Sequence, residues 1–150
     1  MIHFEGDKSF PLPVAEVAAK LSDATFLAGS LPDVQLTEAT VDRAAWKLRP
    51  KLSFLTGSLD TILEATERNP GHAVAFKVFT RAVGVTSTTL TRLEFKPAEG
   101  GGTTVHWTGD ITEVTGLLKM VPKGLIQGTA AKVIDDVWAA VSARLVPAGK

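Results

Sequence analysis

The chain has 150 residues, 45% of them hydrophobic, which is enough for the core of one domain spanning residues 1–150. Sixteen lysines and arginines balance sixteen aspartates and glutamates, so no whole-protein field recruits nucleic acid. The absence of cysteine excludes disulfides, thiolate nucleophiles and zinc-thiolate sites, and suits a reducing cytoplasm.

The first residues, MIHFEGDKSF, lack the basic flank and apolar run of a signal peptide. No stretch approaches the roughly eighteen uninterrupted apolar residues of a membrane-spanning helix. A mean hydropathy of +0.16 is apolar for a small soluble protein. An internal apolar cavity is one use for that excess, and tight packing is another.

Alternation over residues 3–10 predicts a first strand, which Pro11 and Pro13 stop. Pro13 suits the first position of a short helix with the stripe Val14, Val17, Ala18 and Leu21. Ser22 or Asp23 caps a second helix running to about Ala28, with Gly29 as its left-handed stop and Pro32 preventing continuation. After Asp33 the apolar period changes from about 3.6 to about 2. Residues 34–40 and 44–49 read as a hairpin with Trp46 and Leu48 on one face. Residues 52–67 form a strand bent at Gly57. Asn69, Pro70 and Gly71 make the strongest turn signal in the chain. Residues 73–81, 86–96 and 103–114 are three further strands, and residues 99–102 are a glycine-rich hairpin tip. In the last strand Val105, Trp107 and Ile111 alternate with Thr104, His106, Thr108, Asp110 and Thr112.

Residues 115–146 carry the one long helical signal. From Gly124 onward Leu125, Ile126, Thr129, Ala130, Val133, Ile134, Val137, Val141 and Leu145 recur at steps of three and four. A helix of this length needs something wide beneath it, and a curved antiparallel sheet fits. Pro122 separates the residues from Leu117 to Val121 as a short turn, a candidate lid. Gly124 and Gly128 leave a thin helix face that suits the lining of a pocket. The order strand, two short helices, six strands and a long helix is that of an α+β helix-grip fold, a sheet of six to seven strands wrapped around a C-terminal helix.

Within that order, the opening FEGDKSFPLPVAEVAAKLSDATFLAGSLPDV resembles the start of the START-like, birch-pollen-allergen-like SRPBCC superfamily, with LSD at Leu21 to Asp23 and LPDV at Leu31 to Val34. The ending VTGLLKMVPKGLIQGTAAKVIDDVWAAVSARL, with Gly116 before the helix and the Leu125–Ile126 pair, is similar to the carbon monoxide dehydrogenase G-subunit branch. The resemblance implies an accessory role beside a molybdenum-type dehydrogenase, a lipid or quinone as cargo, and a cytoplasmic location with peripheral contact at the inner membrane face. Members of that branch often continue into a membrane anchor, whereas this sequence ends at Lys150, so a fixed attachment is not expected.

Enzyme motifs are sparse: no nucleophile elbow, no phosphate loop and no dinucleotide fingerprint follows a strand. His3, His72 and His106 lie on separate segments without metal spacing, so no metal, cofactor or catalytic residue is expected. By alternation Glu113 shares the inward face with Trp107 and Ile111, where it reads either as a carboxylate exposed at the mouth or as a buried proton shuttle. With three tryptophans and no tyrosine, broad apolar walls outnumber orienting groups. The expected cavity lining is Trp46, Phe54, Leu59, Phe76, Trp107, Ile111, Glu113, Leu117, Val121, Leu125 and Gly128, and core packing is the alternative for each aromatic taken singly. Three functions follow: binding or carriage of an apolar small molecule, a polyketide cyclase/dehydrase-like enzyme using Glu113 or His106, and an interaction module with a filled core.

Overall fold

The computed structural model describes residues 2–31, 34–48, 59–82 and 84–145. Strand β1 (Ile2–Phe10) leads into helices α1 (Val14–Leu21) and α2 (Ala24–Ser30). Strands β2 (Gln35–Ala39), β3 (Arg43–Leu48), β4 (Leu59–Asn69), β5 (Ala73–Ala82), β6 (Val85–Pro97) and β7 (Thr103–Gly116) follow, and helix α3 (Lys123–Leu145) comes last. All seven strands form one curved antiparallel sheet in the order β1-β7-β6-β5-β4-β3-β2. Strands β2 to β7 are therefore a meander, and β1 adds to its last member. The two short helices carry the chain from one edge of the sheet to the other.

Local chemistry explains the first turns. The Pro13 carbonyl accepts from the amides of Glu16 and Val17, at 3.1 Å each, so Pro13 caps α1 instead of opening it. Asp23 caps α2 by accepting from the Thr25 amide at 2.9 Å, a bond of the kind whose loss costs about 1 kcal/mol. The expected helix stop at Gly29 is not found: α2 continues through it to Ser30, and the capping residue Leu31 is extended. A Cβ on Gly29 would lie 2.6 Å from Nη1 of Arg144, the far end of a flexible side chain. That guanidinium stacks 4.9 Å from the Phe26 ring centroid and donates to the Phe26 carbonyl at 3.3 Å, tying α2 to the end of α3.

The turn at Asn69, Pro70 and Gly71 closes as the alternation predicts, with Gly71 at φ 79° and the His72 amide donating to the Asn69 carbonyl at 2.9 Å. Strand β7 runs two residues past its expected end to Gly116. That residue has φ 67°, and a Cβ on it would collide with the Gly84 carbonyl, so only glycine fits. The core gathers at one end of the concave sheet face. Val17 and Leu21 of α1 and Ala24 and Ala28 of α2 pack there with Phe10, Val74, Phe95 and Val105, under Val141 and Leu145 of α3. Each large side chain buried in this way contributes about 1.5–3 kcal/mol.

Candidate ligand-binding site

The concave face is built in rungs that the strand register defines. Starting from the closed end, Val105 lies opposite Phe95; then come Trp107, Leu93 and Val74, followed by Gly109, Thr91, Phe76 and Ala65. Ile111, Thr89, Val78, Leu63 and Ala44 form the next rung, and Val114, Ser87, Thr80, Thr61 and Trp46 the one after it. Gly116, Val85 and Ala82 end the series. Helix α3 lies over this face: the Trp138 ring is 6.2 Å from Trp107 and 6.4 Å from Phe10. Gly6, opposite Trp107, leaves the space that the indole fills, since a Cβ there would touch the ring at 3.0 Å.

Coverage falls along α3. On the side facing the sheet, Val141 and Leu145 near its C-terminus are 2% and 3% exposed, whereas Ile126, Ile134 and Trp138 nearer its N-terminus are only half-buried. The sheet responds in kind. Val74, Leu93, Phe95 and Val105 at the closed end are buried; in the next rungs Ala44, Trp46, Thr61 and Leu63 on β3 and β4 stay buried, but Val78, Thr80, Ser87, Thr89 and Ile111 on β5, β6 and β7 are only half-buried. Val85 is buried again where the short 3-10 turn Leu117–Met120 meets β6. Helix and sheet are in close contact at one end and part company toward the other.

The expected lining residues divide accordingly. Trp46, Leu59, Phe76, Trp107 and Ile111 lie on the concave face by register. Phe76 is 2% exposed, a core residue in the closed half, and Trp46 is buried as well. Val121 is half-buried. Leu117 starts the 3-10 turn. Leu125 is exposed, and so are Gly124 and Gly128; a Cβ on either glycine would meet nothing within 4 Å, so the thin helix face is approached by no described residue. Phe54 and Gly57 lie outside the described residues.

Glu113 requires a correction. In the β6–β7 register Thr89 faces Ile111 while Thr88 faces Glu113, so Thr112 is an extra residue in β7. One inserted residue reverses the parity of everything beyond it. Glu113 therefore stands on the convex side with Thr88, exposed, and Val114 takes the inward place. His106 is also convex, its Nδ1 donating to the Asp7 carboxylate at 2.9 Å and its Nε2 lying 3.6 Å from Glu5.

The convex face collects the ionisable groups. His3 bonds Asp110 and Glu5, Arg92 bridges Glu67 and Glu94, and Arg43 bridges Glu38 and Glu64. The bond to Asp110 first, and that to Glu5 second, hold the His3 imidazolium above its ordinary pKa range, against partial desolvation. Among the described residues no group of three or more histidine or carboxylate side chains is arranged to hold a metal ion. None of the described helices is long and apolar enough to cross a membrane.

The hydroxyls of the concave face escape a reading of the sequence. Residues 86–96 are visibly rich in threonine, but which of them face inward depends on the register and on the bulge at Thr112.

A curved antiparallel sheet gripping a long C-terminal helix is the helix-grip fold. The chain matches the family described as "polyketide cyclase / dehydrase and lipid transport" over residues 1–146, and it belongs to that family. The match does not single out the carbon monoxide dehydrogenase branch. A conserved protein from Geobacillus kaustophilus is similar in structure, with a TM-score of 0.82 at 19% identity over 96% of this chain and 95% of that one. A START superfamily protein from Mycobacterium smegmatis has a TM-score of 0.67 at 10% identity over 95% and 96% of the two chains. A putative protein of the dynemicin biosynthetic locus reaches 0.61 at 17% identity, covering 99% of this chain and 48% of its own. At these identities the likeness is one of fold. No curated protein matches the chain.

Proposed function

We propose that the protein binds an apolar small molecule, lipid- or quinone-like, between the N-terminal half of α3 and the concave sheet face, and carries it without transforming it. The observation behind this reading is the gradient of coverage: on the sheet side of one helix Val141 and Leu145 are 2–3% exposed while Ile126, Ile134 and Trp138 are only half-buried, over positions of β5, β6 and β7 that stay half-open. A filled core would bury both halves alike. The family's lipid-transport members support the same reading. The cyclase alternative needs an acid or base facing the ligand. The concave rungs of the described residues contribute neither carboxylate nor imidazole, and Glu113 and His106 are convex. Tryptophan fluorescence tests the proposal, because Trp107 and Trp138 border the space. Titration with decylubiquinone is expected to quench emission saturably at one equivalent, with the effect reduced in Trp138→Phe. Linear, unsaturable quenching by quinones and fatty alcohols alike would count against a pocket.

We further propose an anionic membrane surface as the place of loading. The charge of the whole chain balances, yet residues 114–134 hold Lys119, Lys123 and Lys132 and no acidic residue. Met120 is 82% exposed and Leu125 50%. Lysines near an anionic leaflet gain about 1 kcal/mol each, and apolar neighbours can dip into the headgroup boundary. Flotation with vesicles should show binding to phosphatidylglycerol-containing membranes that Lys119→Glu with Lys123→Glu abolishes; binding unaffected by this charge reversal would contradict it. The accessory place beside a dehydrogenase rests on the sequence resemblance alone.

A further inference from the structure

The half-open part of the concave face is not uniformly apolar. Thr61, Thr80 and Ser87 occupy one rung across β4, β5 and β6, and Thr89 and Thr91 follow on the same face of β6. Directly opposed residues on one face have Cβ atoms about 4.5–5.5 Å apart, so the hydroxyls of Thr61, Thr80 and Ser87 form a compact cluster, with Thr89 about 7 Å and Thr91 about 14 Å further along β6. Thr80, Ser87, Thr89 and Thr91 are half-buried and Thr61 is 9% exposed. Other threonines bond other groups, as Thr103 does the Leu12 carbonyl and Thr66 the Ala75 carbonyl, but these five hydroxyls enter no side-chain hydrogen bond among the described residues. Valine would suit a strand equally well at the threonine positions. Five inward hydroxyls placed beneath a helix where hydrocarbon would fold are a recognition surface.

Charge decides what is recognised. Among the described residues, the cluster's rung and the rungs on either side of it contain no lysine, arginine or histidine. A carboxylate or phosphate brought there would lose hydration without gaining a counter-charge, which is expensive. A hydroxyl can donate or accept, so the cluster fits an alcohol and a carbonyl alike. Beyond it toward the closed end lie the half-buried Trp107 and Trp138, which supply an apolar wall. Building on the carrier reading above, we infer that the bound molecule is amphipathic and uncharged: an apolar body directed to the aromatic end, with a neutral alcohol or carbonyl oxygen received by Thr61, Thr80 and Ser87, beside Thr89.

Displacement of the hydrocarbon dye 1,6-diphenylhexatriene, which carries no oxygen, by matched ten-carbon probes tests this. At pH 7.5, 1-decanol and 2-decanone are expected to displace the dye at concentrations at least about tenfold below decanoate, which is ionised and finds no cation. Thr80→Val with Ser87→Ala should weaken 1-decanol by about threefold to tenfold and leave affinity for the hydrocarbon dye and the melting temperature near wild type. Thr89→Val is the second variant should the first pair unfold. Decanoate binding as tightly as decanol, or an alcohol affinity indifferent to these substitutions, overturns the inference and leaves the carrier reading standing. Failure to take up diphenylhexatriene at all overturns both.

Discussion

Leu145→Ala and Leu125→Ala delete the same atoms from the same helix, yet the structure assigns them different costs. Leu145 is 3% exposed in the cluster formed by α1, α2 and the closed end of the sheet, so its truncation should cost about 2–5 kcal/mol. Leu125 is 50% exposed; half its surface is already in water, and alanine is at least as good a helix former, so the cost should stay below about 1 kcal/mol. The valine pair repeats the contrast. Val141→Ala, at 2% exposure, should lose about 1.5–3 kcal/mol, while Val133→Ala, at 49%, should be near neutral because the gain of about 0.5 kcal/mol in helix propensity offsets the lost contact. Urea unfolding followed by circular dichroism gives the four midpoints, and slopes that do not change would license reading them as stabilities. A cost above about 2 kcal/mol for Leu125→Ala or Val133→Ala would contradict the exposure of these two positions. A cost above about 3 kcal/mol for Ile134→Ala, which is half-buried on the same helix face as Val141, would mean that the N-terminal half of α3 is packed as tightly as the other and that the space assigned to a ligand is gone.

Phe76→Ala, at a position 2% exposed, is expected to lose about 3–5 kcal/mol and so to fail as a stability mutant before binding can be read, whereas Trp107→Phe should fold and alter ligand affinity; a folded Phe76→Ala with normal urea resistance would contradict this placement. Gly128→Ala should stabilise by about 0.5–1 kcal/mol, since the added methyl meets nothing within 4 Å and the residue is helical; a loss in the thermal melt would reveal a close approach that the structure does not contain. Because His3 is held above its ordinary pKa of about 6.5 by Asp110 and Glu5, its contribution to β1–β7 pairing is complete below that value and is lost as pH rises through the raised one. Melting temperature should therefore decline across the neutral range for wild type more steeply than for His3→Gln, and parallel profiles would remove His3 from the explanation.

The sequence is most legible where local chemistry decides. The period change after Asp33, the turn at Asn69, Pro70 and Gly71, and the long apolar stripe ending at Leu145 each depend on neighbours within a few residues, and together they specify the order of elements. It is least legible where a distant residue decides. Gly29 looks like a helix stop, yet α2 runs through it, and its neighbour in space is the guanidinium of Arg144, far along the chain. Glu113 follows an unbroken alternation in the sequence and is turned outward by Thr112, an extra residue visible only in the pairing with β6. Phe76 suits a pocket wall by its chemistry and is core by its place, because aromatic content alone does not reveal which end of a concave face a helix seals. The inward threonines are hidden for the same reason as Glu113: a strand's faces are known only relative to its partners.

Native mass spectrometry of the protein purified from its own host, followed by organic extraction and identification of what is released, tests the central claim most directly. The account predicts a near-stoichiometric adduct that proves to be an uncharged amphipathic molecule with a hydroxyl or carbonyl oxygen. A protein that is empty as isolated, and that remains empty after incubation with quinones and long-chain alcohols, would contradict it.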